Sequence, residues 1–237
     1  MRVVTFIMLV CLVFTVSPAS AEWFADAFAG GSFTEKTDMT VHNSAGLGIF
    51  RDVDFDRALT YGGRFGHYFD RLPFLGLAVD GFTFSPNIGP QRVRVDGCVP
   101  SGGCSGGQGG TNSLDVDVMA VSLDVMLRLP LLKSDKAPWG LLQPYIAAGA
   151  PVFLTTVTPR TTRSFRNHDS DSDVSFGYKV AGGVAVQVVS NLMLFGEYRL
   201  THTQPGVELR DAVTLHHAPL RMDLDTHSVL VGLSARW

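Results

Sequence analysis

The sequence predicts an all-β protein, an eight-stranded antiparallel up-and-down transmembrane β-barrel with four long outer loops. Three observations predict it. Apolar and polar residues alternate with period two along eight runs, as strands do when one face meets hydrocarbon and the other a polar interior. Long polar connections follow the first, third, fifth and seventh runs and short ones the second, fourth and sixth, the asymmetry of a barrel with turns on one side of a membrane and loops on the other. Beyond the amino terminus no apolar run approaches the roughly 18 residues of a spanning helix, so a membrane-embedded chain must close its strands instead.

The amino terminus sets the compartment. Residues 1–21 carry Arg2, an apolar run over 3–16 and then Ala19, Ser20 and Ala21, the pattern of a secretory signal cut after Ala21. Cys11 lies inside that run, behind Leu9 and Val10, and leaves with the signal. The mature domain is then 22–237, with both ends of the barrel on the periplasmic side.

The runs follow in order. The first, 23–33, sets Asp26 on one face with Phe24 and Phe28; Asp26 is assigned to the lumen because a charge on the lipid face costs about 2–4 kcal/mol at mid-membrane. The second, 55–69, groups Arg64 with Thr60, Gly62 and Gly66 against Leu59, Tyr61, Phe65 and Phe69. In the third, 74–84, Asp80 opposes Leu75, Leu77 and Val79. The fourth, 113–129, places Ser122, Asp124 and Arg128 against Val121, Leu123, Val125 and Leu127. The fifth, 141–158, holds no charge, and its faces stay unassigned. The sixth, 174–189, turns Lys179 and Gln187 inward and Tyr178, Val180, Val184 and Val186 outward. In the seventh, 192–202, Glu197, Arg199 and Thr201 oppose Leu194, Tyr198 and Leu200. The eighth, 224–237, alternates His227, Val229, Val231, Leu233, Ala235 and Trp237 with a face that ends on Arg236.

The expected lumen therefore sets Asp26, Asp80, Asp124 and Glu197 against Arg64, Arg128, Lys179, Arg199 and Arg236. An eight-stranded barrel is only wide enough for its own side chains, so these groups would pair as a plug. Glycines on the runs leave room for them. Aromatic residues near strand ends, namely Trp23, Phe69, Tyr145, Tyr198 and Trp237, suit interfacial girdles. Girdles and grouped charges both weigh against the alternative, a secreted lipocalin-type barrel with its apolar face turned inward.

Composition excludes other classes. A formal net charge of −3 leaves no basic stripe for nucleic acid. Cys98 and Cys104 are expected to close a small loop disulfide in an oxidising compartment, with free thiols as the alternative; no further zinc ligands stand at finger-like spacing. The acidic stretch at 167–173 lacks the glycine and distal Glu of a calcium loop and reads as solvated, as do His216 and His217. The glycine-rich stretch at 102–110 precedes no helix and reads as a hairpin tip. No cofactor or metal is expected.

The words Pro144-Tyr145-Ile146-Ala147-Ala148-Gly149-Ala150, Leu194-Phe195-Gly196-Glu197-Tyr198-Arg199 and the closing stretch Thr226 to Leu233 with Arg236-Trp237 carry a resemblance. Through them the chain resembles the small outer-membrane β-barrel proteins of the opacity-protein and OmpA transmembrane-domain type. The resemblance implies residence in a bacterial outer membrane among lipid and lipopolysaccharide, and insertion by the barrel-assembly machinery, which reads a closing strand ending in an aromatic residue. Trp237 stands there, where Phe is commoner.

The functional expectation is a monomeric structural or surface-interaction protein that meets its ligands through its loops. A narrow channel for ions or small solutes is the alternative. A lipid-modifying enzyme is the remote one: His202 sits on the outward parity as in lipid A deacylases, but Thr203-Gln204-Pro205 follows where Ser-Asn should stand, and no orienting acid is visible beside it.

Overall fold

The computed structural model describes residues 22–43, 46–99, 103–111, 113–134, 137, 139–159, 171–210 and 217–237. The signal assigned to 1–21 lies outside them. In chain order the strands are β1 (Glu22–Thr34), β2 (Thr37–Asn43), β3 (Gly46–Val53), β4 (Ala58–Phe69), β5 (Leu72–Phe84), β6 (Arg92–Val99), β7 (Gly103–Gly110), β8 (Leu114–Arg128), β9 (Leu142–Pro159), β10 (Asp171–Val189), β11 (Leu192–Thr203), β12 (Gly206–Arg210), β13 (His217–Arg221) and β14 (Leu224–Arg236).

Eight of these close a barrel in the order β1-β14-β11-β10-β9-β8-β5-β4, every pair antiparallel. The seam between first and last strands is fully laddered, and Trp23 and Trp237 exchange backbone hydrogen bonds of 2.9 and 3.1 Å at its end. A closed ladder leaves no barrel edge to satisfy in lipid.

The alternation read from the sequence becomes an inside-out barrel. On β8, Val116, Val118, Ala120, Ser122, Asp124, Met126 and Arg128 are buried, while Met119, Val121, Leu123, Val125 and Leu127 face out. Leu123 is 64% exposed and Val231 63%, values a soluble core would not tolerate across a whole belt. Such a belt is stable in hydrocarbon. Trp23, Phe69 and Tyr198 are exposed on the outside, where girdle residues belong. Tyr145 departs from that assignment: it is buried, because β9 pairs so that Tyr145 shares the inward face with Ala147.

A second departure lies beyond the rim. All four long connections are expected to be polar loops, but three of them carry strands, and these pair into a six-stranded sheet of order β12-β13-β2-β3-β6-β7. Residues 160–170 of the third connection lie outside the described residues. The glycine stretch expected as a hairpin tip is mostly β7, laddered to β6 from Arg92–Gly110 to Val99–Gly103. Cys98 and Cys104 occupy opposed positions in that ladder, and their side chains lie outside the described residues.

The sheet brings apolar side chains to the barrel mouth. Met39, Val53, Val93 and Leu220 join Phe84, Val116, Val118, Phe153 and Val157 from the barrel walls in one buried cluster. The interior is thus layered, with charges toward the short turns and an apolar layer toward the outer mouth. A lumen polar throughout, the expectation above, is corrected on this point. The sheet supplies the apolar partners, and the sequence does not show which barrel residues they cover.

Candidate functional site: the charged lumen and the outer rim

All nine charged residues assigned to the lumen are buried there, and Glu22 joins them. Five carboxylates (Glu22, Asp26, Asp80, Asp124, Glu197) meet five cations (Arg64, Arg128, Lys179, Arg199, Arg236), so the formal charge of the interior cancels. Cancellation matters because an unpaired ion taken out of water costs several kcal/mol even after relaxation.

The lower cluster is built by the strand ends near the short turns. Glu22 Oε1 accepts from Arg128 Nη1 at 2.6 Å and from Arg236 Nη1 at 2.8 Å, and its other oxygen also contacts Arg128. Arg128 lies 3.6 Å over the Tyr68 ring and donates through Nε to the Pro73 carbonyl at 2.9 Å. Arg236 sits near both Phe24 and Tyr68 and donates to Ser234.

The middle cluster hangs on Asp80. Its Oδ2 accepts from Lys179 Nζ at 2.7 Å, Arg199 Nη2 at 2.9 Å and Arg64 Nη2 at 3.1 Å. Arg64 continues to Glu197 at 2.7 Å and to Asp26 at 3.5 Å; Tyr145 donates its hydroxyl to Glu197 at 2.8 Å. Lys179 reaches Asp124 at 2.5 Å, and Ser122 donates to the same carboxylate. The Arg199 guanidinium is flanked by Phe28 and Phe82 at 4.7 and 4.8 Å, which joins the charged layer to the aromatic one above.

Space for these groups is made by glycine. A Cβ on Gly149 would run into the Asp124 carboxylate and Ser122 Oγ, and one on Gly183 would stand 2.7 Å from the Tyr145 hydroxyl.

Glu22 and Tyr145 were not anticipated. Glu22 shares the parity of Phe24 and Asp26, a signal that could have placed it. Tyr145 carried no such signal on a strand without charge.

Outside, at the loop end of the wall, two histidines meet acids. His202 Nδ1 lies 2.6 Å from Asp225 Oδ1 and its ring stacks on Tyr178 at 5.0 Å. Asp225 is the orienting acid that the local sequence did not disclose, because it comes from the neighbouring strand, opposite His202 in the β11–β14 ladder. Thr203, which follows His202, turns inward, and its buried hydroxyl is bonded to Ser175 at 2.8 Å, so it does not serve this pair as a nucleophile. His227 Nε2 lies 2.8 Å from Glu35, its Nδ1 lies 2.6 Å from the Tyr198 hydroxyl, and its ring stacks on Phe33.

On the outer sheet, Arg51 donates to Asp38 at 2.6 Å and to Asp96 at 3.1 Å, and Arg94 also donates to Asp96. The hydrogen bond from Arg51, with Arg94 beside it, holds the Asp96 carboxyl below its ordinary range; Asp38 and then Asp96 hold Arg51 above its own. Among the described residues no group of three or more His, Cys, Asp or Glu side chains could hold a metal ion.

A closed eight-stranded barrel with an apolar belt outside and paired charges inside defines an integral outer-membrane β-barrel protein. No known family profile and no curated relative matches the chain. Among solved structures it is similar to Neisserial surface protein A, with 13% identity, TM-score 0.48, and 92% of this chain and 98% of that one covered. It is similar also to outer membrane protein OprG of Pseudomonas aeruginosa, with 12% identity, TM-score 0.47, and 92% and 96% covered. The outer membrane protease OmpT of Escherichia coli matches at 13% identity, TM-score 0.48, and 94% and 99% covered.

Proposed function

We propose that this chain is a structural, surface-interaction protein of the outer membrane: a sealed barrel that carries its six-stranded sheet outside the cell as the surface presented to ligands. The observation that carries this reading is the filling of the lumen. Five cations and five anions cancel in connected clusters, and aromatic and aliphatic side chains close the mouth above them. Opening a path would require breaking several buried ion pairs at once, each costly to leave half-made. The reading includes a secretory signal over 1–21, a monomeric mature domain over 22–237, assembly through the closing strand that ends at Trp237, and lipid and lipopolysaccharide as its surroundings.

The test is conductance of the refolded, heat-modifiable protein in a planar lipid bilayer, wild type beside Arg128→Ala. Silence from both is expected. A steady wild-type conductance that changes in the variant would replace this reading with the narrow channel.

A further inference from the structure

We propose that the outer wall of the barrel holds one phosphorylated glycolipid of the outer leaflet at a notch centred on Gly31, its acyl chain in the notch and its phosphate at Arg57. On the lipid face Val229 pairs with Gly31 and Gly31 with Leu59 across β14, β1 and β4. Neighbouring strands lie about 4.8 Å apart, so the Val229 and Leu59 side chains stand about 10 Å from each other with none between them. A Cβ on Gly31 would meet nothing within 4 Å. The resulting groove holds about 530 Å³ and is lined by Gly31, Ser32, Phe33, Arg57, Ala58 and Val229.

Its outer end is walled and charged. The next row carries Phe33 stacked on His227, with ring centroids 4.9 Å apart and planes within 2°. Arg57 follows one residue beyond the Ser32–Ala58 pair, is exposed, and makes no ion pair among the described residues. Of the nearby acids, Glu35 is held by His227 and Asp54 by Lys36 at 3.0 Å, while Asp56 makes no ion pair with Arg57 and its carboxylate lies toward Gly89. A free guanidinium beside an apolar groove complements a phosphate attached to an acyl chain.

The depth agrees. Ten residues (33 − 23) separate Trp23 from Phe33, which at about 3.4 Å per residue and a tilt near 40° span about 25 Å, the height of the apolar band. The groove therefore opens just inside the outer boundary, and Arg57 stands at headgroup level.

The inference rests on the membrane-embedded reading above and is tested separately from it. Wild type, Gly31→Leu and Arg57→Ser are refolded into phosphatidylcholine nanodiscs doped with lipid A, and the lipid retained after extraction is read by native mass spectrometry. Wild type should retain lipid A above its bulk fraction. Arg57→Ser should retain about fivefold less, the worth of one interfacial cation, and Gly31→Leu should fall to the bulk fraction. Lipid A stripped of phosphate should bind wild type no better than intact lipid A binds Arg57→Ser. Bulk-ratio lipid on wild type, or unchanged retention in Gly31→Leu, would overturn the proposal. Competition by inorganic phosphate would assign Arg57 to a free anion, and wild-type dimers lost in Gly31→Leu would assign the notch to a second copy; either overturns it. Should Gly31→Leu fail to fold, Val229→Trp narrows the same groove. Bilayer conductance of the same samples reports on the sealed lumen independently.

Discussion

The Glu22 carboxylate grips the Arg128 guanidinium across the lumen, tying the first barrel strand to β8 on the far side of the closure. The same carboxylate holds Arg236, so one anion serves two cations. Glu22→Gln strips both guanidinium groups of their anion at once, whereas Arg128→Met leaves Glu22 with Arg236. Breaking a buried pair costs about 3–5 kcal/mol. Glu22→Gln is expected in that range, Arg128→Met below it, and the double variant less destabilised than the sum of the two. Urea midpoints of the refolded barrel check the order; Arg128→Met at or above Glu22→Gln would contradict it.

Parity alone placed the charges of five strands, because a period of two and the cost of a charge in lipid leave one face for Arg64, Asp80, Asp124, Lys179, Glu197 and Arg199. What parity cannot give is the partner across the lumen. Asp80 meets Lys179, 99 residues away, and Arg199, 119 away, and no local word encodes either contact. The same limit hid Asp225 behind His202. The outer sheet was illegible for a different reason: β7 reads Gly-Cys-Ser-Gly-Gly-Gln-Gly-Gly, with no strand-forming residue, and is a strand only because β6 offers it a ladder.

Gly149 makes a sharper test of lumen packing than any charge reversal. Gly149→Ala must displace the Asp124 carboxylate or Ser122, and with them the 2.5 Å contact from Lys179. Overpacking of this kind costs about 1–3 kcal/mol. Gly31→Ala, on the lipid face with open space around it, serves as the control and should be near neutral. Equal urea midpoints for the two variants would refute the close approach at Gly149.

The outer sheet should loosen in acid. Asp96 is held below its ordinary value of 3.8 by Arg51 and Arg94, so its contribution is complete above the unfolded value and is lost as the pH falls through the lower folded one. The pair is partly exposed, so salt should weaken it as well. Protection of the β3–β6 amides, measured as exchange relative to the intrinsic rate at each pH, is expected to fall below about pH 4, and Asp96→Asn should already be poorly protected at pH 7 and show no acid step. An acid step that survives in Asp96→Asn would point to another group.

The two terminal tryptophans separate stability from assembly. Trp23 and Trp237 exchange backbone hydrogen bonds, which any side chain at 237 would keep, and the Trp237 ring adds a tilted contact to Phe65 with centroids 6.3 Å apart. Trp237→Ala should therefore cost the refolded barrel only about 1 kcal/mol, the size of one aromatic pair. If the aromatic terminus is also what the assembly machinery reads, the same variant should show a much larger loss of folded protein in the outer membrane of growing cells, and Trp237→Phe should restore it. A loss in cells no greater than the small stability change predicts would confine Trp237 to its part in closing the barrel.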